Sequence, residues 1–370
     1  MRDVASRAPH VIWDMTFTLH TLTGTRVYAH NMYRALAARG EMRMEEIYAP
    51  NTAGGIPGAQ NVWWLARGLE KKLNARKPDL FHVAAYLGPR RAPCPVIVNV
   101  FDVAYVQYAE FFDWKWRAYA RWVIPHTVQH AAAVVTLTEH ARQEIIKAYS
   151  VDPARVHIVA PGVGSEFRMQ DDAAVSEMRA KYNLGKNYLL YVGAPHERKN
   201  IPALINAFAL LRHEFADLIL VLAGPQMPEA EHITRAVNAS GAANAVQRFG
   251  YIPQNDLPRL YAGARAFVYA SKVEGFGMPP VEAMACGTPV VSAPNAPMPD
   301  VLGDAGYFAR DDSPAALARA MGDVLRDDAL AAQLRARGMA RAREFTWERA
   351  ARDMQKIYAD VLMAQSRVTV

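Results

Sequence analysis

A beat of short apolar runs alternating with helical stretches, broken once, constrains this chain more than any other feature. Residues 10–15, 44–48, 79–83, 95–100, 133–137 and 156–159 read as strands. Between them, residues 24–40, 64–76, 114–131 and 139–149 carry helical spacing, with Pro125 expected to kink the third of these. Residues 16–23 read as a polar-apolar loop, and the Gly/Pro-rich residues 51–60 as a mobile one. Residues 160–172 (APGVGSEFRMQDD) break the pattern and read as a linker. The alternation then restarts, with strands at 188–192, 218–223, 246–249, 266–269 and 290–291. Helices fall at 200–214, 229–240, 257–262, 311–327, 329–344 and 347–364. Parallel strands need crossover helices, so each half is expected to be a doubly wound α/β sheet covered on both faces. In such folds ligands sit beyond the carboxyl ends of the strands. The loops that matter are then those at Gly24, Phe101-Asp102, Gly193, Gly224, Gly250 and Glu274.

Size and charge narrow the partners. A chain of 370 residues implies about two domains. Forty-two basic against 36 acidic residues give a net charge of +6. That balance suits an anionic ligand or an anionic membrane surface; nucleic acid would call for a denser basic patch, and no nucleic-acid partner is expected. Residues 1–9 carry no apolar h-region and no stretch approaches 18 apolar residues, so neither a signal peptide nor a spanning helix is expected. Cys94 and Cys286 stand far apart and read as buried thiols, consistent with a reducing, cytoplasmic setting. No Asp-x-Asp, His-Glu-x-x-His or Cys-x-x-Cys pattern is present, so no metal is expected.

The most informative stretch is Glu274-Gly275-Phe276-Gly277-Met278-Pro279-Pro280-Val281-Glu282. Two carboxylates bracket a glycine-proline loop that opens a helix, with Glu282 expected in its first turn. A glycine loop feeding a helix N-terminus is an anion site. The prolines have no N–H, so the donors fall to Phe276, Gly277 and Met278, and Gly275 and Gly277 let the backbone come close to a ligand. Carboxylates beside an anion site make sense when the ligand carries hydroxyls next to its phosphates. A nucleotide sugar has that layout. The plainer alternative makes Glu282 a helix-dipole residue and Glu274 a solvated loop residue.

Gly193-Ala194-Pro195-His196-Glu197-Arg198-Lys199-Asn200 follows the first strand of the second half. Arg198 and Lys199 read as a phosphate clamp, or as a solvated basic pair. His196 reads as a loop residue rather than a catalyst. Tyr251 and Ile252, after Gly250, read as a nucleobase shelf or as an ordinary strand end. Asp14 and Asp102 read as sugar-hydroxyl acceptors or as turn caps. Two stretches join aromatic to basic residues: Trp63-Trp64 with Arg67, Lys71, Lys72, Arg76 and Lys77, and 114–122, where Trp114, Ala118 and Trp122 share a helical face. Such a face is either core or a membrane interface.

These motifs together resemble the retaining glycosyltransferases of GT-B fold called family 4, or glycosyltransferase group 1, and among them the bacterial polysaccharide mannosyltransferases. Besides the stretches above, Leu257-Pro258-Arg259-Leu260-Tyr261, Asp300-Val301-Leu302-Gly303-Asp304-Ala305-Gly306 and Glu344-Phe345-Thr346-Trp347 carry the likeness, and more loosely Trp13-Asp14, Thr23-Gly24-Thr25-Arg26 and Thr138-Glu139. The resemblance implies two Rossmann-like domains facing a central cleft. Residues 1–165, with a C-terminal helix at about 348–370 crossing back, would meet the acceptor; residues 166–347 would hold the donor. It implies that Glu282 binds the ribose diol and Glu274 the transferred sugar, that Arg198 and Lys199 bind the diphosphate, and that Gly24 sits near it. The expected activity is metal-independent hexosyl transfer, with GDP-mannose the first donor, a dTDP- or UDP-sugar the next, and no other cofactor. The expected acceptor is a glycan or lipid-linked oligosaccharide in bacterial polysaccharide or lipopolysaccharide synthesis, met in the cytoplasm or at the inner face of the membrane. The chain departs from the family at Ala194, where many members have arginine, and at Phe101, where many have histidine. A sugar-nucleotide epimerase of the same fold and a non-catalytic nucleotide- or glycan-binding module are the rival readings.

Overall fold

The computed structural model describes residues 7–20, 24–49, 64–108 and 113–368. The expected loop at 51–60, Trp63, and Thr23 lie outside them. The chain forms two compact units, residues 1–162 with 347–370, and residues 163–346.

The first unit is a six-stranded parallel sheet in the order β2-β1-β3-β4-β5-β6. Its strands are β1 His10–Asp14, β2 Arg43–Ile47, β3 Leu80–Val83, β4 Val96–Asn99, β5 Ala133–Thr136 and β6 Val156–Ile158. Strands β1, β3 and β5 are buried along their whole length. A parallel sheet covered on both faces demands this, and it is why these segments read as continuous apolar runs. The crossing helices are α1 Gly24–Ala38, α2 Leu69–Arg76, α3 Ala104–Gln107, α4 Trp114–His130 and α5 Glu139–Tyr149. Their starts are written locally: Asp113 accepts from the amides of Lys115 and Trp116, and Thr138 from that of Ala141. Helix α4 runs through Pro125 without ending.

The second unit is also a six-stranded parallel sheet, in the order β12-β11-β10-β7-β8-β9. Its strands are β7 Tyr188–Val192, β8 Ile219–Ala223, β9 Val246–Phe249, β10 Ala266–Tyr269, β11 Val290–Ser292 and β12 Gly306–Phe308. Counted from β7, this is the doubly wound order 3-2-1-4-5-6, and chain direction across the sheet reverses between β7 and β10. The helices are α6 Asp172–Lys181, α7 Ile201–Leu211, α8 Glu231–Ala239, α9 Leu257–Ala262, α10 Met278–Ala285, α11 Met298–Leu302, α12 Pro314–Arg326 and α13 Asp328–Ala342. The last helix, α14 Trp347–Val368, belongs to the first unit. There Tyr358 accepts a hydrogen bond from Trp13 Nε1 at 2.9 Å and shares one of 2.7 Å with His82 Nδ1, all three groups being buried.

Several sequence expectations need correction. Residues 16–20 form a 3-10 turn, Thr16–His20, rather than a loop. The helix expected at 64–76 opens with a π turn at Trp64–Gly68 before α2 begins. Helices α3, α6 and α11 and strand β12 have no counterpart in the sequence reading, because all but α6 are five residues or fewer and α6 follows directly on the linker. Cys286 is buried, but Cys94 is partly exposed.

The Trp13–Tyr358–His82 chain makes a stability prediction. Burial holds the His82 pKa down to about 3, so the imidazole is neutral and its Nδ1 accepts from the tyrosine. Tyr358→Phe strands the indole N–H and the imidazole nitrogen, each costing ~1–3 kcal/mol when buried unpaired. A fall in the denaturation midpoint of the first unit is expected; a change below about 0.5 kcal/mol would show that these bonds contribute nothing net.

Candidate functional site

The site forms where the second sheet reverses. Two loops leave the carboxyl ends of the neighbouring strands β7 and β10, and they are laced together. Lys272 N–H donates to Arg198 C=O at 2.8 Å, and Arg198 Nη1 donates to Val273 C=O at 2.9 Å. Close approach of backbones at this end is enforced by glycine. A Cβ on Gly224, after β8, would lie 2.1 Å from the Gly193 carbonyl oxygen, and both glycines have positive φ. Gly224 N–H in turn reaches the carbonyls of Phe249 and Gly250, so the exits of β7, β8 and β9 stand side by side.

Glu274 is the centre of this lacing. Its side chain is only 8 % exposed. One carboxylate oxygen, Oε2, accepts from Arg198 Nη1 at 2.8 Å. The other, Oε1, accepts from Lys199 Nζ and from the Tyr269 hydroxyl, the latter at 2.8 Å. Lys199 Nζ also donates to Tyr269 at 3.2 Å and stands 5.4 Å from its ring centroid. Burial alone would lift the Glu274 pKa; the charges of Lys199 and Arg198 outweigh it and hold the carboxyl well below the usual carboxylate range. Two cations against one carboxylate leave the cluster one positive charge.

That charge lies at the end of the loop that supplies amides. Gly277 has φ +93°, a backbone conformation that favours glycine, and a Cβ there would come within 2.5 Å of Met298 Cε. Helix α10 follows at Met278, with Pro279 and Pro280 in its first turn. The N–H groups of Phe276, Gly277 and Met278 have no partner among the described residues. Phe276 is buried with its ring edge-on to Phe345, centroids 5.4 Å apart, which fixes the loop. Consecutive unpaired amides beside a net positive cluster constitute an anion site.

Glu282 is built differently. It lies in the second turn of α10, not the first as expected, so it does not serve the helix N-terminus. It accepts instead from the hydroxyl of Tyr261, a fully buried residue of α9, at 2.9 Å. Burial lifts its pKa to about 7, against the lowering effect of the Tyr261 hydrogen bond, and the nearby Glu166 adds to the rise. The two glutamates are one helical turn and a loop apart in sequence, yet one is locked ionised and the other titrates near neutrality.

The other expected residues divide clearly. Gly193 sits at the exit of β7 beside the cluster, while Ala194 offers its carbonyl to the amide of His196 at 2.9 Å. His196 opens the 3-10 turn that carries Arg198 and Lys199, and burial together with those two cations lowers its pKa. Tyr251 is 69 % exposed at the rim of the β9 exit, whereas Ile252 is buried. Gly275 lies in the same loop as Glu274 and is partly exposed.

In the first unit Gly24 begins α1 with open space where a Cβ would stand. Asp14 ends β1 and accepts from the Thr16 amide at 2.9 Å; burial lifts its pKa to about 6, while the Thr16 bonds oppose that. Asp102 accepts from the Ala104 amide at 3.1 Å, at the start of α3. Both therefore act as turn caps in this structure. Phe101 is buried between Tyr28 and Tyr86, with ring centroids 5.1 and 5.7 Å away.

The sequence reading missed the tyrosines. Tyr261 and Tyr269 orient the two glutamates, and Tyr191, fully buried, lies close enough for the Glu274 charge to raise its pKa further after burial has done so. A signal existed: a tyrosine closing an otherwise apolar strand, as in Ala266–Tyr269, must find a partner for its hydroxyl once buried.

Comparison with known proteins gives a consistent result. Residues 175–341 match the model for glycosyl transferases group 1, and residues 22–167 that for glycosyltransferase family 4. O-antigen chain mannosyltransferase B of Escherichia coli is 31 % identical over 274 residues, 74 % of this chain and 72 % of that protein. The serotype-specific mannosyltransferase WbdA of Escherichia coli is 33 % identical over 226 residues, 59 % of this chain but only 28 % of that much longer protein. Among solved structures, WaaG, a glycosyltransferase involved in lipopolysaccharide biosynthesis, superposes with a TM-score of 0.74 over 92 % of this chain and 98 % of that one at 20 % identity. Sucrose-phosphate synthase from Thermosynechococcus elongatus reaches 0.78 over 97 % of this chain and 100 % of that one at 20 % identity. The fold is GT-B, with two Rossmann-like domains.

The Glu282 environment sets a pH-dependent stability. Folding raises its pKa from 4.5 to about 7, so the folded chain keeps a proton that the unfolded chain releases. The associated stabilisation is complete below pH 4.5 and is lost as pH climbs through about 7. Glu282→Gln is expected to flatten this part of the stability profile. Melting temperatures of both proteins across that window give the test; parallel profiles would show that Glu282 ionises normally.

Proposed function

This chain belongs to the glycosyl transferases of group 1, and on that premise we propose that it moves a hexose, in the first instance mannose from GDP-mannose, onto a hydroxyl of a glycan or lipid-linked acceptor in bacterial polysaccharide synthesis. The observation that carries the donor reading is the Glu274–Lys199–Arg198 cluster beside three unpartnered amides. A diphosphate lies across the amides of Phe276, Gly277 and Met278 with Arg198 and Lys199 on its oxygens. Glu282 accepts from the ribose hydroxyls, and Glu274 accepts from the sugar. Tyr251 and Ile252 flank the base. Asp14 and Asp102 serve the acceptor or sugar side. The mannose assignment draws its support from the names of two similar proteins, both mannosyltransferases.

The transfer is proposed to retain configuration. The acceptor oxygen attacks the anomeric carbon on the face from which the diphosphate leaves. The bond from that carbon to the diphosphate oxygen breaks as the new glycosidic bond forms, and a departing phosphate oxygen takes the acceptor proton. Charge develops on the leaving diphosphate, and fixed cations and amides answer it without reorganising. No metal is needed in this scheme, because Arg198 supplies charge where relatives of this type carry an arginine in place of Ala194.

Lys199→Ala is expected to lower kcat about a hundredfold at saturating donor, on the order of 3 kcal/mol of lost transition-state stabilisation. Near-normal turnover would remove Lys199 from the mechanism. The same assay, run with a chelator and with donor alone, separates the rivals. Transfer that stops with chelator overturns metal independence, and a donor epimer without acceptor makes the protein an isomerase. Stereochemistry of the product, read by the anomeric coupling constant, tests retention.

A further inference from the structure

Helix α4 carries a stripe that the transfer reaction does not use. Trp114 is 68 % exposed and Trp122 is 70 % exposed. With Ala118, also exposed, they stand at every fourth residue on one face. The face is not a core stripe turned the wrong way, because Ala120, Ile124 and Val128 already bury the opposite side of the helix. Exposing two indoles is costly unless something covers them. Lys115 and Arg121 are exposed beside them, with the Lys115 ammonium 5.7 Å from the Trp114 ring.

Hydrogen bonds extend this surface. His126 of α4 bonds the Arg90 carbonyl at 3.2 Å, and the Arg90 amide donates to Leu65 of the π turn at 3.3 Å. The loop carrying Arg90 and Arg91 therefore joins α4 to the Trp64–Gly68 turn and α2. The two aromatic-basic stretches noted in the sequence are neighbours in the fold, though Trp64 itself is buried with Lys72 over its ring and only the second stretch shows its indoles. Arg67, Lys71, Arg90, Arg91, Lys115 and Arg121 are all exposed along this join. Among the described residues the acidic ones here are Glu70, partly exposed, and Asp113, whose carboxylate is engaged in capping α4.

We propose that this side of the first unit docks on an anionic lipid surface, with Trp114 and Trp122 entering the headgroup boundary and the basic residues meeting lipid phosphates. Eight helical residues put the two indoles about 12 Å apart along the axis, separated by one alanine. That is little area for the core of a protein interface. It is well suited to amphipathic rings anchoring at a water–lipid boundary within a ring of positive charge. No helix among the described residues is long and apolar enough to cross a membrane. The proposal stands independently of the donor assignment.

The test is flotation of the full chain with vesicles of phosphatidylcholine alone or mixed with phosphatidylglycerol, followed by indole emission. Association only with the anionic vesicles, weakened by salt and accompanied by a blue shift, is the expected result. W114A/W122A should lower partitioning about tenfold or more. K115E/R121E should lower it at least about fivefold for each charge lost. Unchanged circular dichroism and an unchanged melting temperature would show that the variants fold. Equal association with neutral vesicles, none with either, or wild-type partitioning by W114A/W122A would overturn the proposal. So would a dimer in solution that the tryptophan variant dissolves, which assigns the stripe to a second copy. A soluble glycan that protects the indoles while vesicles do not would assign it to acceptor sugar.

Discussion

A buried carboxylate held between two cations is the constraint on which the second unit's working end depends. Glu274 has almost no water, so its negative charge survives only because Lys199 and Arg198 donate to opposite oxygens. Removing either cation would leave the carboxylate with one charged partner and would cost a charge-assisted hydrogen bond, about 1.5–3 kcal/mol. Yet the intact arrangement is a poor device for stability, since apolar residues of similar volume do as well or better. Its value is positional. The pairing fixes two long, flexible side chains before any ligand arrives, and it leaves a surplus of one positive charge next to unpartnered amides.

The sheet order decides where this happens. In the second unit β7 and β10 are neighbours although two strands separate them in sequence, and their loops diverge to opposite faces. A crevice at that reversal is a consequence of topology. Arg198 and Lys199 come from one side of it and Glu274 from the other, so the ion pairs also stitch the two loops. Glycine does the remaining work: Gly224 cannot carry a Cβ against the Gly193 carbonyl, and Gly277 takes a φ of +93° that side chains rarely adopt. The first unit has its own reversal between β1 and β3, but there Asp14 and Asp102 spend a carboxylate oxygen on capping short turns. The same residue type at a similar place in a similar fold thus has different neighbours and a different freedom to meet ligand.

Much of this was legible in the chain itself. Parallel strands buried on both faces must be continuous apolar runs, and Tyr188–Val192, Ile219–Ala223 and Ala266–Tyr269 were readable for that reason. The loop from Glu274 to Glu282 was readable because glycine, proline and acid each have a restricted use. What escaped has a physical cause too. Short elements such as Ala104–Gln107 and Gly306–Phe308 are too brief to show a period. Helical spacing told which residues share a face of Trp114–His130 but not which face points inward, and the tryptophans proved to be outside. The expectation of Glu282 in the first helical turn failed because Gly277, not a residue after it, ends the loop, so the helix starts at Met278, four residues ahead of the glutamate. Hydroxyl partners are tertiary facts, and the tyrosines that orient both glutamates could be found only by asking where their hydroxyls would go.

Those tyrosines separate the glutamates chemically. Tyr269 adds one bond to a carboxylate already neutralised by two cations, so Glu274 stays ionised through any ordinary pH. Among the described residues Tyr261 is the one hydroxyl on Glu282, which has no cation there and feels Glu166 as well. Two residues of identical type are pushed apart by their surroundings, the arrangement by which a site assigns different tasks to similar groups. A Glu282 poised near neutrality gains most from a ligand that brings two hydrogen-bond donors, because each donor favours the ionised form that burial opposes. A vicinal diol offers that pair, whereas a second phosphate would repel the carboxylate. Glu274 has the reverse need: it is already satisfied, so a sugar hydroxyl approaching it competes with Tyr269 rather than with water. The proposed division, ribose at Glu282 and transferred sugar at Glu274, follows this difference. It places the stronger ligand-induced change in ionisation at the ribose and leaves the charge beside the reacting bond fixed.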